Sequence, residues 1–332
     1  MCFFTKQCIV ITTLSFLTFH SSEALLIKQK MILQGHGDAI TKILFLQNGD
    51  IATAANDKTI RIWHEGSCIK KMDSINDIPS TLLELDATTL VSGGKDGMIE
   101  FWNMNNSSCI KSHFCYRGGA VVVLIKKENE DVLVGKASGL ILSIPKNGDL
   151  TIPKKQPKKK GMRFLEMSMG NAMLYLKDKT LFIMNPLIPK SIKVFNASVN
   201  TPKNDISAVA NLKNGTVAAA FVNYNNILDS EDPYEFFPYT VSIKLWHDNK
   251  IVKKLKGHSG RIICLLELPN GFLVSGSHDG SVKFWDVKDD VKQNDSCVGD
   301  ITCKCPVTSM MYGGGDLYVG MNDGDVLVYT IG

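Results

Sequence analysis

The stretch that decides the fold is Asp279-Gly-Ser-Val-Lys-Phe-Trp285, a turn followed by a short alternating strand that ends in tryptophan. The same frame occurs at Asp57-Lys-Thr-Ile-Arg-Ile-Trp63 and at Asp96-Gly-Met-Ile-Glu-Phe-Trp102. Four weaker copies end at Ile144, Met184, Trp246 and Tyr329. Successive anchors lie 39, 42, 40, 62, 39 and 44 residues apart. A period of about 40 residues indicates a chain built from repeated units.

Each unit also contains an upstream alternating strand and a turn, as in Glu267-Leu-Pro-Asn-Gly-Phe-Leu-Val-Ser275. Asn-Gly and Asp-Gly between alternating apolar runs predict β-hairpins. Several short strands in each unit, with no helical period, predict four-stranded antiparallel sheets repeated around an axis. One such sheet cannot bury both of its faces, so neighbouring sheets must stack. The expected fold class is therefore all-β.

Two units share a further set of residues with the same spacings of 17, 4 and 6, namely Gly35-His36, Thr53, Asp57 and Trp63, and Gly257-His258, Ser275, Asp279 and Trp285. This pattern resembles the WD-repeat β-propeller family, and the resemblance covers about residues 25–332. It implies a seven-bladed propeller in which these His, Ser/Thr, Asp and Trp residues form a structural hydrogen-bond network. Only Trp285-Asp286 is a literal Trp-Asp pair, so we expect the middle blades to be irregular. Thr53 replaces serine in the first set, which argues against a catalytic nucleophile.

The two ends of the repeat region predict how the ring closes. The segment Leu26-Ile-Lys-Gln-Lys-Met-Ile-Leu33 precedes the first unit, and the last unit ends at Gly332 after its third strand. We therefore expect the N-terminal segment to pair with the last blade and complete it. Pairing of this kind leaves only short, protected sheet edges.

Residues 1–24 have the pattern of a cleaved signal peptide. The uncharged run Cys8–Phe19 follows Lys6, and Ser22-Glu23-Ala24 is a small-x-small cleavage site. Twelve helical residues span roughly 18 Å, which is less than the ~30 Å hydrocarbon core, so no membrane span is predicted. The mature protein, 25–332, is then a single domain that is secreted or periplasmic. A cytoplasmic scaffold with an uncleaved N-terminus is the alternative.

Seven cysteines remain after residue 24. Cys68, Cys109 and Cys297 have similar neighbours, which favours equivalent positions in repeated units over partners in disulfide bonds. Cys303-Lys-Cys305 lacks the second pair of a zinc site. The sequence has no phosphate-binding loop, no His-Glu-x-x-His and no dinucleotide motif. We therefore predict no cofactor, no metal site and no enzymatic activity.

Charge gives little support for nucleic-acid binding. The net charge is +4 with a pI near 8.4, whereas nucleic-acid domains usually exceed pI ~9. The run Pro153–Lys160 is the densest in lysine, and it has no aromatic residues for base stacking. A solvated loop is the interpretation we prefer, and no nucleic-acid partner is expected.

The 62-residue spacing indicates an insertion of about 17 residues at 223–239, between the second and third strands of its blade. A long loop in a compact repeat is usually functional or disordered, and aromatic residues argue against disorder and are typical interface anchors. The aromatic candidates for partner binding are Tyr224, Tyr234, Phe236, Phe237 and Tyr239. Acidic residues of the same loop suit a basic ligand. Folding back onto Lys158–Lys160 of its own ring is the open alternative.

The face that carries the Gly-His loops is predicted to have a basic rim, from Lys95, Lys160, Lys177 and Arg261, with His278 beside them. Our hypothesis is a non-catalytic scaffold that binds a protein or peptide with this rim and with the acidic-aromatic insertion. We expect a monomeric propeller that works within a complex. The alternative is an exported propeller that binds or hydrolyses a carbohydrate or small ligand in its central channel.

Overall fold

A computed structural model describes residues 25–74, 77–115, 119–138, 140–146, 205–223, 239–248, 250–288 and 297–332, and only the backbone at 163–166, 173–177, 180–184, 193–195, 204 and 224. The predicted signal peptide, residues 1–24, lies outside this part of the chain. The strands, in chain order, are β1 (Ile27–Leu33), β2 (Ile40–Phe45), β3 (Ile51–Ala55), β4 (Thr59–His64), β5 (Ser67–Asp73), β6 (Pro79–Asp86), β7 (Thr89–Gly94), β8 (Met98–Asn103), β9 (Cys109–Phe114), β10 (Val121–Lys126), β11 (Val132–Lys136), β12 (Ile141–Ile144), β13 (Arg163–Glu166), β14 (Met173–Lys177), β15 (Thr180–Met184), β16 (Lys193–Phe195), β17 (Asn204–Asn211), β18 (Val217–Tyr224), β19 (Tyr239–His247), β20 (Lys250–Leu255), β21 (Ile262–Glu267), β22 (Leu273–Ser277), β23 (Ser281–Trp285), β24 (Cys297–Thr302), β25 (Val307–Gly313), β26 (Asp316–Met321) and β27 (Val326–Ile331).

The strands form seven sheets, which we call blades 1 to 7: β2–β5, β6–β9, β10–β12, β13–β16, β17–β20, β21–β24, and β25–β27 with β1. Each sheet is an antiparallel meander, as the hairpin signals predicted. Six blades have four strands. Blade 3 has three in the described part of the chain, and the place of a fourth, 147–162, lies outside it. The all-β propeller expected from the repeat is confirmed.

The first strands of the blades contact one another in chain order, and β25 of blade 7 contacts β2 of blade 1. The predicted pairing of the N-terminal segment with the last blade is confirmed, because β1 lies antiparallel to β27 from Ile27 opposite Ile331 to Leu33 opposite Val326. Backbone hydrogen bonds between Leu26 and Gly332 extend this pairing by one residue.

All seven anchor residues lie in the third strand of their blade in chain order, which is β27 in blade 7, counted from β25. They occupy equivalent positions in the pairing with the second strand. Each anchor is paired with the first or second residue of the preceding strand, as Trp63 is with Ile51, Trp285 with Leu273 and Tyr329 with Leu317. A common register means that the seven frames read from the sequence are equivalent in space. The repeat was therefore identified correctly, including the four weaker copies, three of which lack the tryptophan.

The hydrophobic core lies between neighbouring blades. Trp63 of blade 1 packs with Tyr318, Val326 and Val328 of blade 7. In the same way, Trp285 of blade 6 packs against residues of blade 5, including Leu245. At about 25 cal/mol per Å² of apolar surface, burying such a side chain contributes a few kcal/mol. Stability thus depends on contacts between units, as expected for repeats that cannot bury both faces alone.

The cysteines with similar neighbours are equivalent, as predicted. Cys68, Cys109 and Cys297 lie in the fourth strands of blades 1, 2 and 6, each opposite the anchor tryptophan at a β-bulge. All three are exposed free thiols. Cys303 and Cys305 are also free and lie in the loop before β25.

Candidate partner-binding face

Two sets of connections meet at one end of the blades, and together they form what we call the loop face. One set joins each blade to the next, and the other joins the second and third strands within a blade. Backbone hydrogen bonds link the two sets: from Asn56 N to Ala39 O at 2.8 Å, Lys95 N to Ile78 O at 3.0 Å, Ala137 N to Ala120 O at 2.9 Å, His278 N to Arg261 O at 2.9 Å, and Asn322 N to Pro306 O at 3.0 Å. These bonds hold the two sets of connections together in each of these blades.

In blade 1 a chain of hydrogen bonds runs from the core to the loop face. Trp63 Nε1–H donates to Thr53 Oγ1 at 2.7 Å, and Thr53 Oγ1 lies 2.7 Å from His36 Nε2. His36 Nδ1 lies 3.0 Å from Asp57 Oδ2, and Thr59 donates to the other carboxylate oxygen at 2.8 Å. Every polar group in this series of hydrogen bonds therefore has a partner, which buried polar groups require.

Blade 6 repeats the arrangement. Trp285 Nε1–H donates to Ser275 Oγ at 2.8 Å, and Ser275 Oγ lies 2.7 Å from His258 Nε2. His258 Nδ1 lies 2.8 Å from Asp279 Oδ2, and Ser281 donates to the second carboxylate oxygen at 2.6 Å. Ser275 is completely buried, and its hydroxyl is already bonded to Trp285 and His258, so it is not placed to act as a nucleophile.

The electrostatics of these networks follow from burial. Burial lowers the pKa of His36 and His258 below 6.5, although the neighbouring aspartates oppose this effect. Both rings are therefore neutral near pH 7. Burial alone would raise the pKa of Asp57, but hydrogen bonds from the Gly37 amide and the Thr59 hydroxyl outweigh it and lower the pKa. A neutral histidine that accepts from the hydroxyl and donates to the carboxylate satisfies all the partners.

Blade 2 has the tryptophan but builds a different network, which the sequence did not reveal. Trp102 Nε1–H donates to Ser92 Oγ at 2.9 Å, and Ser74 Oγ–H donates to Glu100 Oε2 at 2.6 Å. Ser92 Oγ also lies within 3.5 Å of that oxygen. Glu100 is buried, and burial raises its pKa. The sequence signal for this network was Glu100 itself, an acidic residue at a position that is basic in the corresponding strands of blades 1 and 6.

The turn of blade 2 is also held differently. Asp77 of the preceding loop accepts hydrogen bonds from the amides of Asp96, at 2.9 Å, and Met98, at 3.3 Å. In blades 1 and 6 the turn aspartate itself performs this task. Asp96, which aligns with those aspartates, is exposed. The blade keeps its turn because a carboxylate from another loop replaces the missing one.

Lys136 is a buried cation at the boundary of blades 2 and 3. Its Nζ donates to Cys115 O at 2.6 Å, and burial lowers its pKa. A Cβ at Gly97 would lie 2.5 Å from this nitrogen, and Gly97 has a φ of +99°. Both facts make glycine necessary at that turn. Lys136 therefore links two blades and is absent from the exposed rim.

The basic rim residues with described side chains make contacts between blades. Lys95 Nζ donates to Asn56 Oδ1 at 2.8 Å, from blade 2 to blade 1. Arg261 forms an ion pair with Asp205 at 2.9 Å, from blade 6 to blade 5. His278 lies beside Arg261 and is largely exposed. The buried part of its ring, together with the charge of Arg261, lowers its pKa. The positive charge of Arg261 is thus partly neutralised, which the sequence did not indicate.

Lys304, between the two cysteines of the loop before β25, is a further basic group of this face. Its Nζ lies 2.8 Å from Asp323 and 2.7 Å from Asp325. These contacts raise the pKa of Lys304. Burial raises the pKa of Cys303 to about 11, so its thiol is protonated near neutral pH.

The remaining predicted contact residues cannot be placed by their side chains. Those of Lys160, Lys177, Tyr224, Tyr234, Phe236 and Phe237 lie outside the described residues. Tyr239 is half-buried at the start of β19, where it pairs with the backbone of Tyr224. The insertion therefore leaves the sheet between neighbouring strand ends. It belongs to the second-to-third-strand connections, which reach the loop face in the other blades.

In the described residues, no three His, Cys, Asp or Glu side chains converge as metal ligands would. Nor does that part of the chain hold any helix with the length and apolar character needed to cross a bilayer.

Comparison with known proteins identifies the repeat. The family model of the WD domain, G-beta repeat, matches residues 27–64 and 249–286. Each match begins at the last strand of one blade, β1 or β20, and extends through the first three strands of the next, blade 1 or blade 6. The nuclear distribution protein PAC1 of Candida dubliniensis is 25% identical over 295 residues, 79% of this chain and 54% of that protein. The guanine nucleotide-binding protein subunit beta of Saccharomyces cerevisiae is 22% identical, over 76% of this chain and 57% of that protein. The chain thus spans about half the length of these relatives.

Solved structures show the same fold. The WD40 repeats of RRP9 match 92% of this chain and 97% of that chain, with a TM-score of 0.65 and 15% identity. The WD40 β-propeller domain of Doa1 matches with the same coverage, a TM-score of 0.63 and 19% identity.

Proposed function

We propose that this chain, a divergent member of the WD-repeat proteins, is a non-catalytic scaffold that binds a protein or peptide with its loop face. WD-repeat proteins generally serve as protein-interaction scaffolds, which supports the general role but not the choice of surface. The observation that carries the proposal is the position of the insertion. It leaves blade 5 between Tyr224 and Tyr239, at the end of the blades where side chains such as Lys95 and Arg261 make contacts between neighbouring blades.

A rigid face with one long aromatic loop suits recognition. Binding residues are often carried by loops on a stiff scaffold, and Tyr and Phe are efficient interface anchors. The acidic residues of the insertion and the basic groups Lys95, Lys177 and Arg261 would give the face both signs of charge. Charge of this kind increases the rate and the specificity of association.

The names of the matched relatives favour the cytoplasmic alternative over export. They refer to nuclear distribution and, for a relative from Neurospora crassa that is 23% identical, to ribosome biogenesis. Both are processes inside the cell. The signal peptide predicted at residues 1–24 stays a prediction, and mass spectrometry of the N-terminus of the expressed protein tests it: an intact Met1 contradicts cleavage.

The proposal is tested by affinity capture with the wild type and with a variant in which 225–238 is replaced by Asn-Gly. Because β18 and β19 pair up to Tyr224 and Tyr239, a two-residue turn closes the hairpin without changing its register. We expect the variant to fold, with an unchanged urea midpoint, and to lose the partner. Retention of every partner by a folded variant contradicts the proposed role of the insertion.

The basic rim is tested separately by reversing the charges of Lys95, Lys177 and Arg261. The matched control reverses Lys127, Lys146 and Lys213, which lie toward the opposite end of the blades. We expect the rim variant to bind its partner more weakly and with a reduced dependence on salt, since charge attraction between surfaces is screened by ions. Equal loss in the rim variant and the control contradicts a specific rim.

A further inference from the structure

A pocket of about 420 Å³ opens in blade 5 where the insertion leaves the sheet. One wall is formed by the ends of β18 and β19, and the other by the chain between β20 and β21. The lining residues are Asn223, Tyr239, Thr240, Val241, Ser242, Lys254, Lys256, Gly257, His258 and Ser259. Its size falls within the ~300–1,000 Å³ range of ligand pockets.

Ser242 contributes an unpaired hydroxyl to this pocket. Its residue is 3% exposed, its Oγ is fully buried, and it has no hydrogen-bond partner. The residues that correspond to it in blades 1 and 6, Thr59 and Ser281, both donate to the turn aspartate. Leaving a buried hydroxyl unsatisfied costs stability, so the Ser242 hydroxyl has a hydrogen that it can donate to a ligand.

Positive charge is concentrated on the same side of the sheet. Lys244 and Lys254 are directly opposite each other in β19 and β20, an arrangement that destabilises a sheet when the charges are alike. The Lys244 ammonium lies 4.4 Å from the ring centroid of Phe221, and burial together with the charge of Lys254 lowers its pKa. Lys256 is exposed at the pocket wall.

No carboxylate of the described residues forms an ion pair with these three lysines, although Arg261 nearby has Asp205. Among the described residues, an unpaired hydroxyl and like charges without a carboxylate partner therefore occur at one site. An oxyanion relieves both, because its oxygens accept the Ser242 hydroxyl hydrogen and its charge offsets the lysines.

We propose that this pocket binds an oxyanion, a carboxylate or a phosphate group, through the Ser242 hydroxyl and the ammonium groups of Lys254 and Lys256. The pocket exceeds the volume of a single ion, so the oxyanion is the charged end of a larger ligand. It is either an acidic side chain of a bound peptide or the acidic group of a free small molecule.

Calorimetric titration with inorganic phosphate at low ionic strength tests the site without any protein partner, so its result is independent of the capture experiment. Three variants are compared with the wild type: Ser242→Ala, the double variant Lys254→Met/Lys256→Met, and the control Lys250→Met at the far end of β20. We expect phosphate to bind the wild type, about tenfold weaker binding to Ser242→Ala, no binding to the double variant, and unchanged binding to the control.

The urea midpoint separates binding from folding. Ser242→Ala removes an unsatisfied group, so we expect it to be as stable as the wild type or more stable, and weaker binding is then a property of the site. Absence of phosphate binding to the wild type, or equal affinity in the wild type and the double lysine variant, overturns the proposal.

A second titration identifies the source of the oxyanion. Blocked pentapeptides with a central Glu, or with Gln as the matched neutral control, compete with phosphate. Displacement by the Glu peptide alone assigns the pocket to peptide side chains, and phosphate binding without displacement assigns it to a free small molecule. Displacement by both peptides equally contradicts recognition of an oxyanion.

Discussion

Replacement of Ser275 by alanine probes the network of blade 6. The Ser275 hydroxyl accepts from Trp285 Nε1–H at 2.8 Å and lies 2.7 Å from His258 Nε2, at a site with no exposure to solvent. Its removal leaves two buried polar groups without partners, at about 1–3 kcal/mol each. We therefore expect the free energy of unfolding to fall by about 2–6 kcal/mol.

Urea denaturation followed by tryptophan fluorescence measures this loss. With a slope of about 3 kcal/mol per molar urea, the midpoint should fall by roughly 0.7–2 M. The exposed Ser259 of the same blade is the control, since Ser259→Ala should change the free energy by less than about 0.5 kcal/mol. In a double-mutant cycle with Trp285→Phe, the two substitutions should be less than additive because they remove one shared hydrogen bond. A midpoint for Ser275→Ala equal to that of Ser259→Ala would refute the network as a source of stability.

Three other perturbations follow from the same structure. Burial lowers the pKa of His36 and His258, so the unfolded chain takes up protons first as the pH falls below 6.5. The free energy of unfolding should then decline by up to about 1.4 kcal/mol per pH unit for each histidine. A urea midpoint that is constant from pH 8 to pH 5 contradicts this. Burial raises the pKa of Glu100, so an ionised Glu100 destabilises the folded protein as the pH rises through that pKa. Glu100→Gln should therefore be more stable than the wild type at pH 7 and lose this advantage near pH 4. A difference in stability that does not change with pH contradicts burial as the cause. Deletion of residues 25–33 exposes the edge of β27. Size-exclusion chromatography should then show dimers or larger species, and an added peptide of residues 25–33 should restore the monomer. A deletion variant that stays monomeric contradicts a role for the free edge in association.

The fold could be predicted because its determinants are periodic. An alternating strand that ends in a large anchor recurs seven times, and an Asp-Gly turn precedes it in three of the units. Each anchor occupies the same register whether it is Trp285 or Ile144. The missing fourth strand of the last unit was equally informative, because an unpaired strand needs a partner and residues 26–33 offered one.

The details of the site could not be predicted, because they depend on which side chains meet across blade boundaries. Glu100 was read only as part of a strand, although it meets Ser74 and Ser92 in space. The charge of Arg261 was counted as free, since nothing in the linear sequence connects it with Asp205, 56 residues away. Hydrogen-bond partners of this kind follow from side-chain reach and from the stacking of blades, which a repeat pattern does not encode.

The pairing of β1 with β27 has a consequence for the synthesis of the protein. The segment 27–33 is made early, but its partner, 326–331, is made about 300 residues later. At roughly 5–20 residues per second, the first strand waits on the order of 15–60 s on the ribosome with its backbone groups unpaired. Blades 1 to 6 are complete in sequence by then, so this pairing joins two segments that are synthesised about 300 residues apart. During that interval the segment is open to any factor that recognises an extended strand, and every nascent chain passes through this state once.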